Sequence, residues 1–412
     1  MKTIVSLNRI FISGFKNLFK INIFFGKIIA LLGNSGIGKT NLVQAISFIF
    51  AFIKATKEER SLMLSNQDYR SHCLQTLNTN LEVEIEYTVS KNSEDFVCLY
   101  SFSAEWKNKT VKQKIILEEF KVKKQKDANF DVIFTRKNNM CTYVSSNTTK
   151  STNDFSLDDF DAAIVELKSK KDFIHQELLS SLFTFSVNSE YSFDSFAFNS
   201  VSIDTLNNEL YPKNEDDTAR CLYLLKEKKS KTYLDVISCF TNIFNHVQMA
   251  DFNSLKVPQF GGKIINSVNE EDTIYIDVFK LEGLEEPLSF FDLSSSMKKT
   301  LYTLTQIACG SLNKYKIIMI ENIDCGISYP LIDKLFSSII LLNKSSNILF
   351  TTQNAYFIDL CTALDIYVGK LNHFGTTRFY HVDNCISTQN KIRLSKHIFE
   401  NLLDENEGMH LA

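Results

Sequence analysis

Two hydrophobic rhythms divide the chain. Between residues 81 and 145, stretches such as "LEVEIEYTV", "VCLYSFSAEW" and "KQKIILEEFKVKK" put apolar side chains at every second position. That is the period of strands with one buried face, and it predicts an antiparallel β subdomain. Residues 28–32 form an unbroken apolar run suited to a buried strand. "LVQAISFIFAFI", 42–53, is too short to span a bilayer and contains Gln44 and Ser47, so it reads as a buried helix. Residues 155–186 and 215–247 read as helices, and "KIRLSKHIFENLLD", 391–404, as a C-terminal helix. The polar "SSNTTKSTND", 145–154, has the turn chemistry of a linker. "SVNSEYSFDSFAFNSVS" is dense in Phe and Tyr; it reads as packing under the helical lobe, with base stacking or partner contact as the alternatives.

Composition narrows the classes. With 412 residues, 44% of them hydrophobic, the chain has enough apolar material for a large core and two or three lobes. A formal net charge of −3 excludes a surface that is basic throughout, as a nucleic-acid glove would be. Lys107, Lys109, Lys112, Lys114, Lys121, Lys123 and Lys124 still form a local patch. They fit either a surface that tracks phosphates or the solvated face of an edge strand. Nine cysteines without a CxxC pair indicate neither a zinc site nor a disulfide framework, and point to free thiols in a reducing cytosol. The start, "MKTIVSLNRIFISGFKN", lacks a signal-peptide shape, so the expectation is a cytoplasmic protein with no membrane partner.

The sharpest chemistry lies at residues 27–47, "KIIALLGNSGIGKTNLVQAIS". A strand-like run enters a glycine-rich loop and a helical pattern leaves it. Gly33, Asn34, Ser35, Gly36, Ile37, Gly38, Lys39 and Thr40 match GxxxxGK followed by Ser or Thr at every required position. Such a loop turns its backbone N–H groups onto phosphate oxygens at a helix N-terminus. Lys39 is the expected ligand of the β- and γ-phosphates, and the Thr40 hydroxyl the expected ligand of Mg²⁺. ATP and Mg²⁺ are therefore the expected cofactors.

With these residues in view, "ISGFKNLFKINIFFGKIIALLGNSGIGKTNLVQAI" resembles the N-terminal segment of RecF-like and SMC-type ATPases, soluble relatives of the ABC transporter ATPases. "PLSFFDLSSSMKKTLYTLTQIACG" resembles their signature segment, "YKIIMIENIDCGISYPLIDKLFSSIILL" their Walker B strand and D-loop, and "SNILFTTQNAYFIDL" their switch strand. Residues 217–244 look like the helical lobe of the same group, with the closest likeness to compact ATPases of bacterial anti-phage systems. The resemblance implies an α/β fold: an ABC-type P-loop head with a mixed central sheet, an antiparallel β subdomain and a helical lobe. The expected division is 1–60 with 285–385 as the P-loop lobe, 80–145 as the β subdomain, 155–260 as the helical lobe and 386–412 as the C-terminal helix. It also implies a homodimer, or an assembly of dimers, in which each nucleotide lies between one P-loop and the partner's signature, at Ser294 and Ser296.

Three positions depart from that pattern. Ser296 stands where the family has a glycine, beside the matching Ser294, and a side chain there costs contact distance to a phosphate. Glu321 takes the metal-side carboxylate position, and Asn322 replaces the family's catalytic glutamate. An amide orients water but accepts no proton, and losing a general base costs about 10²–10⁴ in rate. Gln353 occupies the place of the switch histidine; glutamines do orient water in some phosphoryl transfers. Asp324, in the D-loop position, is retained. Glu321, Asn322 and Gln353 are thus the candidate catalytic residues, with Thr40 and Glu321 as the metal ligands. Whether ATP is turned over stays open.

Together these residues suggest an ATP-binding head with slow or deficient hydrolysis. Its expected role is that of a sensor or regulatory subunit in a bacterial defence or DNA-maintenance assembly. No toprim-like acidic run follows the head, so the expected effector, a nuclease among the candidates, is separately encoded. The alternative is a RecF-like repair protein that hydrolyses ATP and binds DNA. A transporter's cytosolic subunit ranks below both.

Overall fold

Strand β1 (Ile4–Ser13) pairs antiparallel with both β2 (Ile21–Phe24) and β4 (Leu81–Lys91), so the start of the chain builds onto the alternating region. From β4 the chain runs as a meander through β5 (Glu94–Glu105), β6 (Lys114–Lys124), β7 (Asp131–Lys137), β8 (Met140–Val144) and β9 (Thr152–Ser156). The result is an eight-stranded antiparallel sheet of order β2-β1-β4-β5-β6-β7-β8-β9. The computed structural model describes residues 3–70, 73, 76–77, 79–106, 112–145, 152–188, 218–256, 273–313, 316–324, 326–358 and 365–382.

A second sheet carries the glycine-rich loop. Its order is β10-β13-β14-β3-β15-β16, built from Val187–Asn188, Ile317–Ile320, Asn347–Thr352, Ile28–Leu32, Asp365–Leu371 and Thr377–His381 respectively. Every pairing is parallel except that of β15 with β16, so the sheet is mixed. All five residues of β3 and all four of β13 are buried. Parallel strands covered on both faces read as continuous apolar runs for this reason. Helix α1 (Lys39–Lys54) follows β3, and α2 (Lys57–Ser65) is capped by a reciprocal Thr56–Glu59 box. Phe48 and Phe52 of α1 meet Phe15, Tyr69, Phe102 and Trp106 with ring centroids 5.1–5.8 Å apart. One apolar core thereby joins α1, β3 and the eight-stranded sheet.

The chain separates into two units. The first comprises 1–200, 315–322 and 347–412, and the second 201–314 and 323–346. The second holds α5 (Thr218–Lys228), α6 (Ser230–Ile243), the hairpin β11 (Val247–Lys256) and β12 (Thr273–Leu281), α7 (Ser295–Asn313) and α8 (Tyr329–Leu342). Tyr233, Val236, Phe240 and Ile243 bury one face of α6, at helical spacing. The fold is thus α/β, with a mixed central sheet, an antiparallel β subdomain and a helical lobe.

Several local expectations change. The end of the polar stretch, Thr152–Asp154, is not linker but part of β9, because pairing with β8 outweighs local turn chemistry. Residues 155–186 turn helical only at α3 (Ala163–Ser169) and α4 (Gln176–Leu182). The sequence expected to be a helical lobe also contains β11. Of the aromatic segment, Val187 and Asn188 form β10 directly after Ser186, and 189–202 lie outside the described residues, as do 391–404. Lys114, Lys121 and Lys124 pair with Glu105, Glu119 and Glu94, and Lys123 lies over the Phe130 ring, which favours the solvated-strand reading of the lysine patch. Lys107 and Lys109 are outside the described residues.

Candidate functional site

The register of the mixed sheet assembles the site. Thr352 lies beside Leu32, and Ile320 beside Phe350, across parallel pairings. The chain therefore leaves β3 at Gly33, β13 at Glu321 and β14 at Gln353 along one edge, the carboxyl edge of the parallel strands. Ligands of open α/β sheets bind at that edge.

The loop has the backbone that its glycines permit. Gly33, Gly36 and Gly38 have φ of 152°, 81° and 98°, and Gly38 is the N-cap of α1. The Ile37 side chain is buried against Gly33 and Gly369: a Cβ on Gly33 would stand 2.1 Å from Ile37 Cδ1, and one on Gly369 2.4 Å from it. Lys39 Nζ donates across the loop to the carbonyls of Gly33 at 2.5 Å and Asn34 at 2.9 Å. Thr40 Oγ1 donates to Glu321 Oε2 at 3.1 Å, and Glu321 is buried. A hydroxyl and a carboxylate at this distance form a hard-oxygen donor set. It fits Mg²⁺, which otherwise takes phosphate oxygens and water.

Asn322 is exposed and has φ of 46°, in the left-handed region that Asn tolerates better than most residues. Its backbone N–H donates to Thr351 Oγ1 at 2.9 Å. Gln353 is exposed directly after β14, where Thr352 Oγ1 accepts from the Asn354 N–H at 2.9 Å. The eight loop residues, Glu321, Asn322 and Gln353 thus share one edge of one unit.

Ser294 and Ser296 belong to the second unit, at the N-terminus of α7. Their hydroxyls are 3.2 Å apart, and the Ser294 carbonyl accepts the Lys298 N–H at 2.9 Å. A Cβ on Gly326 would stand 3.4 Å from Ser296 Cβ, which places Gly326 beside the start of α7.

The segment Gly14–Asn17 is tied down on several sides. The Lys16 N–H donates to the Tyr69 carbonyl at 2.9 Å, and Trp106 Nε1 donates to the Gly14 carbonyl at 2.9 Å. Lys16 Nζ meets Gln44 Oε1 of α1 at 2.5 Å; burial lowers its pKa, and Asp68 partly opposes that shift. Asn17 reaches the glycine-rich loop and the β15–β16 hairpin. Sequence reasoning missed the hairpin, since Thr377 lies 340 positions beyond Ile37 and "GTTRFYH" carries no motif.

The described residues contain no cluster of three or more His, Cys, Asp or Glu suited to a metal, and no helix long and apolar enough to cross a membrane.

Fold and loop define the class, an α/β P-loop protein. No family model matches the chain, and no curated protein does. Solved structures do align along most of it. The SMC head domain from Thermotoga maritima is 10% identical with a TM-score of 0.43, over 91% of this chain and 98% of that one. An Smc head bound to the C-winged helix domain of ScpA is 12% identical with a TM-score of 0.44, over 94% and 99%. An Smc head with an extended coiled coil, bound to the C-terminal domain of ScpA derived from Pyrococcus furiosus, gives 12% and 0.45, over 96% and 100%. At such identities the functional reading rests on the site itself.

Proposed function

We propose that this chain binds ATP with Mg²⁺ at the Gly33–Thr40 loop, turns it over slowly and serves as the nucleotide-sensing subunit of a larger assembly. The observation that carries the reading is the pairing of Thr40 with Glu321, next to Lys39 in the loop and followed by an amide at Asn322. Lys39 supplies positive charge to the β- and γ-phosphates, and the N-terminus of α1 supplies N–H donors. Thr40 and Glu321 would hold Mg²⁺, whose chemistry there is to neutralise phosphate charge. Asn322 orients water without taking its proton, so the site holds nucleotide longer than it cleaves it.

A long-lived ATP state suits a switch. In this reading, two heads close over two nucleotides through Ser294 and Ser296, and the closed form engages a separately encoded effector of bacterial defence or DNA maintenance. The paired lysines of β6 lend no weight to a duplex-binding surface.

The test is thermal. A ligand at 100 times its Kd stabilises the native state by about 2.7 kcal/mol, so Mg·ATP is expected to raise the Tm of the wild type and not of Lys39→Ala. Equal responses of the two proteins would overturn the site assignment. Steady-state turnover well below about 10 s⁻¹, a typical enzyme value, is the second expected result.

A further inference from the structure

A polar chain from outside the phosphate loop ends on the loop's own backbone. The Thr377 hydroxyl, fully buried at the start of β16, donates to the Ile37 carbonyl. The same oxygen accepts from Asn17 Nδ2 at 2.9 Å, and Asn17 Oδ1 accepts from Asn41 Nδ2 of α1 at 2.7 Å. The backbone repeats the link, with the Thr377 N–H donating to the Asn17 carbonyl at 2.8 Å. The donor and acceptor of each group are used consistently: one hydroxyl gives one proton and takes one.

We propose that Thr377 and Asn17 are positioning residues for nucleotide binding, a brace that fixes the orientation of the Ile37–Gly38 peptide. The proposal rests on the nucleotide-binding reading of the loop. A trans peptide is planar, with C=O and N–H pointing in opposite directions, and no peptide in the described chain is cis. Holding the Ile37 carbonyl toward the hairpin therefore holds the Gly38 N–H toward the face of the loop opposite the hairpin. Without the hydroxyl, a glycine at φ 98° is free to rotate that peptide, since glycine occupies many backbone states. The Ile37 side chain is pinned by the same hairpin, at Gly369, so both ends of this residue are held. Gly38 also lies flat on the brace. A Cβ there would stand 2.8 Å from both Asn17 Oδ1 and Nδ2 and 3.0 Å from Thr377 Oγ1. A merely structural bond could join any two elements. This one ends on a loop carbonyl whose peptide partner is a candidate phosphate donor.

The experiment is calorimetric titration of the full chain with Mg·ATP and with Mg·ADP. The brace acts on the loop rather than on the γ-phosphate, so Thr377→Val is expected to weaken both nucleotides by about tenfold, the upper end for one hydrogen bond. Thr377→Ser, which keeps the hydroxyl, is expected to bind within about twofold of wild type on the same hydrogen-bond argument. Asn17→Ala is expected to weaken both nucleotides less than Thr377→Val. Adding it to Thr377→Val should change little further, because the two residues share one network. Affinity that follows the hydroxyl rather than the melting temperature of the free protein supports the brace. Equal loss in Val and Ser variants overturns it, as does wild-type affinity in Thr377→Val while Lys39→Ala fails to bind; the latter leaves the nucleotide reading intact. A wild type that binds neither nucleotide removes both. If Thr377→Val does not fold, Asn17→Ala decides, and undiminished affinity there overturns the brace.

Discussion

Thr40 Oγ1 stands 3.1 Å from Glu321 Oε2, although 281 positions separate the two residues in sequence. A strand end and a helix N-terminus bring together the hydroxyl and carboxylate of the proposed Mg²⁺ site. Glu321→Ala is expected to abolish the Mg²⁺ dependence of ATP binding while leaving metal-free binding nearly unchanged. Titration of ATP in Mg²⁺ and in chelator reads the difference. An unaltered Mg²⁺ effect in the variant would remove Glu321 from the metal site.

Asn322 combines a missing base with a demanding backbone. Asn322→Glu places a carboxylate where the resemblance expects one, and turnover is expected to rise. The gain should fall short of the roughly 10²–10⁴ of a full general base, since Gln353 and Ser296 also depart from the pattern. The same variant should lose about 1 kcal/mol of stability, because φ 46° suits Asn better than Glu. Asn322→Gly should keep the stability without the turnover. Phosphate release and urea midpoints separate the two effects. Brisk wild-type turnover, unaffected or reduced by Asn322→Glu, would show that Glu321 or Gln353 activates the water.

The antiparallel sheet is pinned by a fully buried ion pair. Arg136 Nη1 donates to Glu118 Oε2 at 2.9 Å, and neither side chain is exposed. Glu118 also accepts from the Tyr100 hydroxyl at 3.0 Å and from the Ala163 N–H at 2.8 Å, while Arg136 reaches the carbonyls of Asn138, Asp158 and Asp161. Burial, and then the Glu118 carboxylate, push the Tyr100 pKa well up, so its proton stays in the network. Glu118→Gln leaves the guanidinium buried without its counter-charge and is expected to cost about 3–5 kcal/mol in denaturant unfolding. A loss below 1 kcal/mol, the scale of exposed pairs, would contradict the role of the pair.

His175 should give the sheet unit an acid-side weakness. It sits at φ 62° before α4, and burial lowers its pKa, with Asp131 opposing. A folded-state pKa below the unfolded value of about 6.5 means that the unfolded chain binds the extra proton first. Its contribution is complete above about pH 6.5 and is lost as pH falls through the folded value. His175→Asn, which tolerates the same backbone, is expected to show a smaller loss of urea midpoint across that window than wild type. Identical pH profiles would dismiss the effect.

Self-association follows from the proposed role of the signature serines. ATP is expected to drive the chain to a dimer, or an assembly of dimers, and Ser294→Arg to weaken it by placing a bulky cation at an exposed contact. Sedimentation velocity with saturating nucleotide is the measurement. A monomer at micromolar protein would set the two-head arrangement aside.

The sequence alone determined whatever depends on neighbours along the chain. Five consecutive apolar residues, a glycine-rich loop and an apolar helix identify β3, the loop and α1, because loop chemistry is written at fixed spacing. Period-two alternation likewise marked β4, β5 and β6. Glu321 was legible as an acid at the end of an apolar run, and Gln353 only through the resemblance of its segment to a switch strand. Tertiary structure decided what depends on distant partners. It recruited β1 and β2 into the antiparallel sheet and drew Thr152–Asp154 into β9 through pairing with β8, because backbone ladders override local turn preference. It buried Arg136 against Glu118, a pairing invisible in a row of alternating charges. It also set Thr377 and Asn17 behind Ile37, since a hydrogen bond between residues 340 positions apart exists only once the hairpin has folded onto the loop.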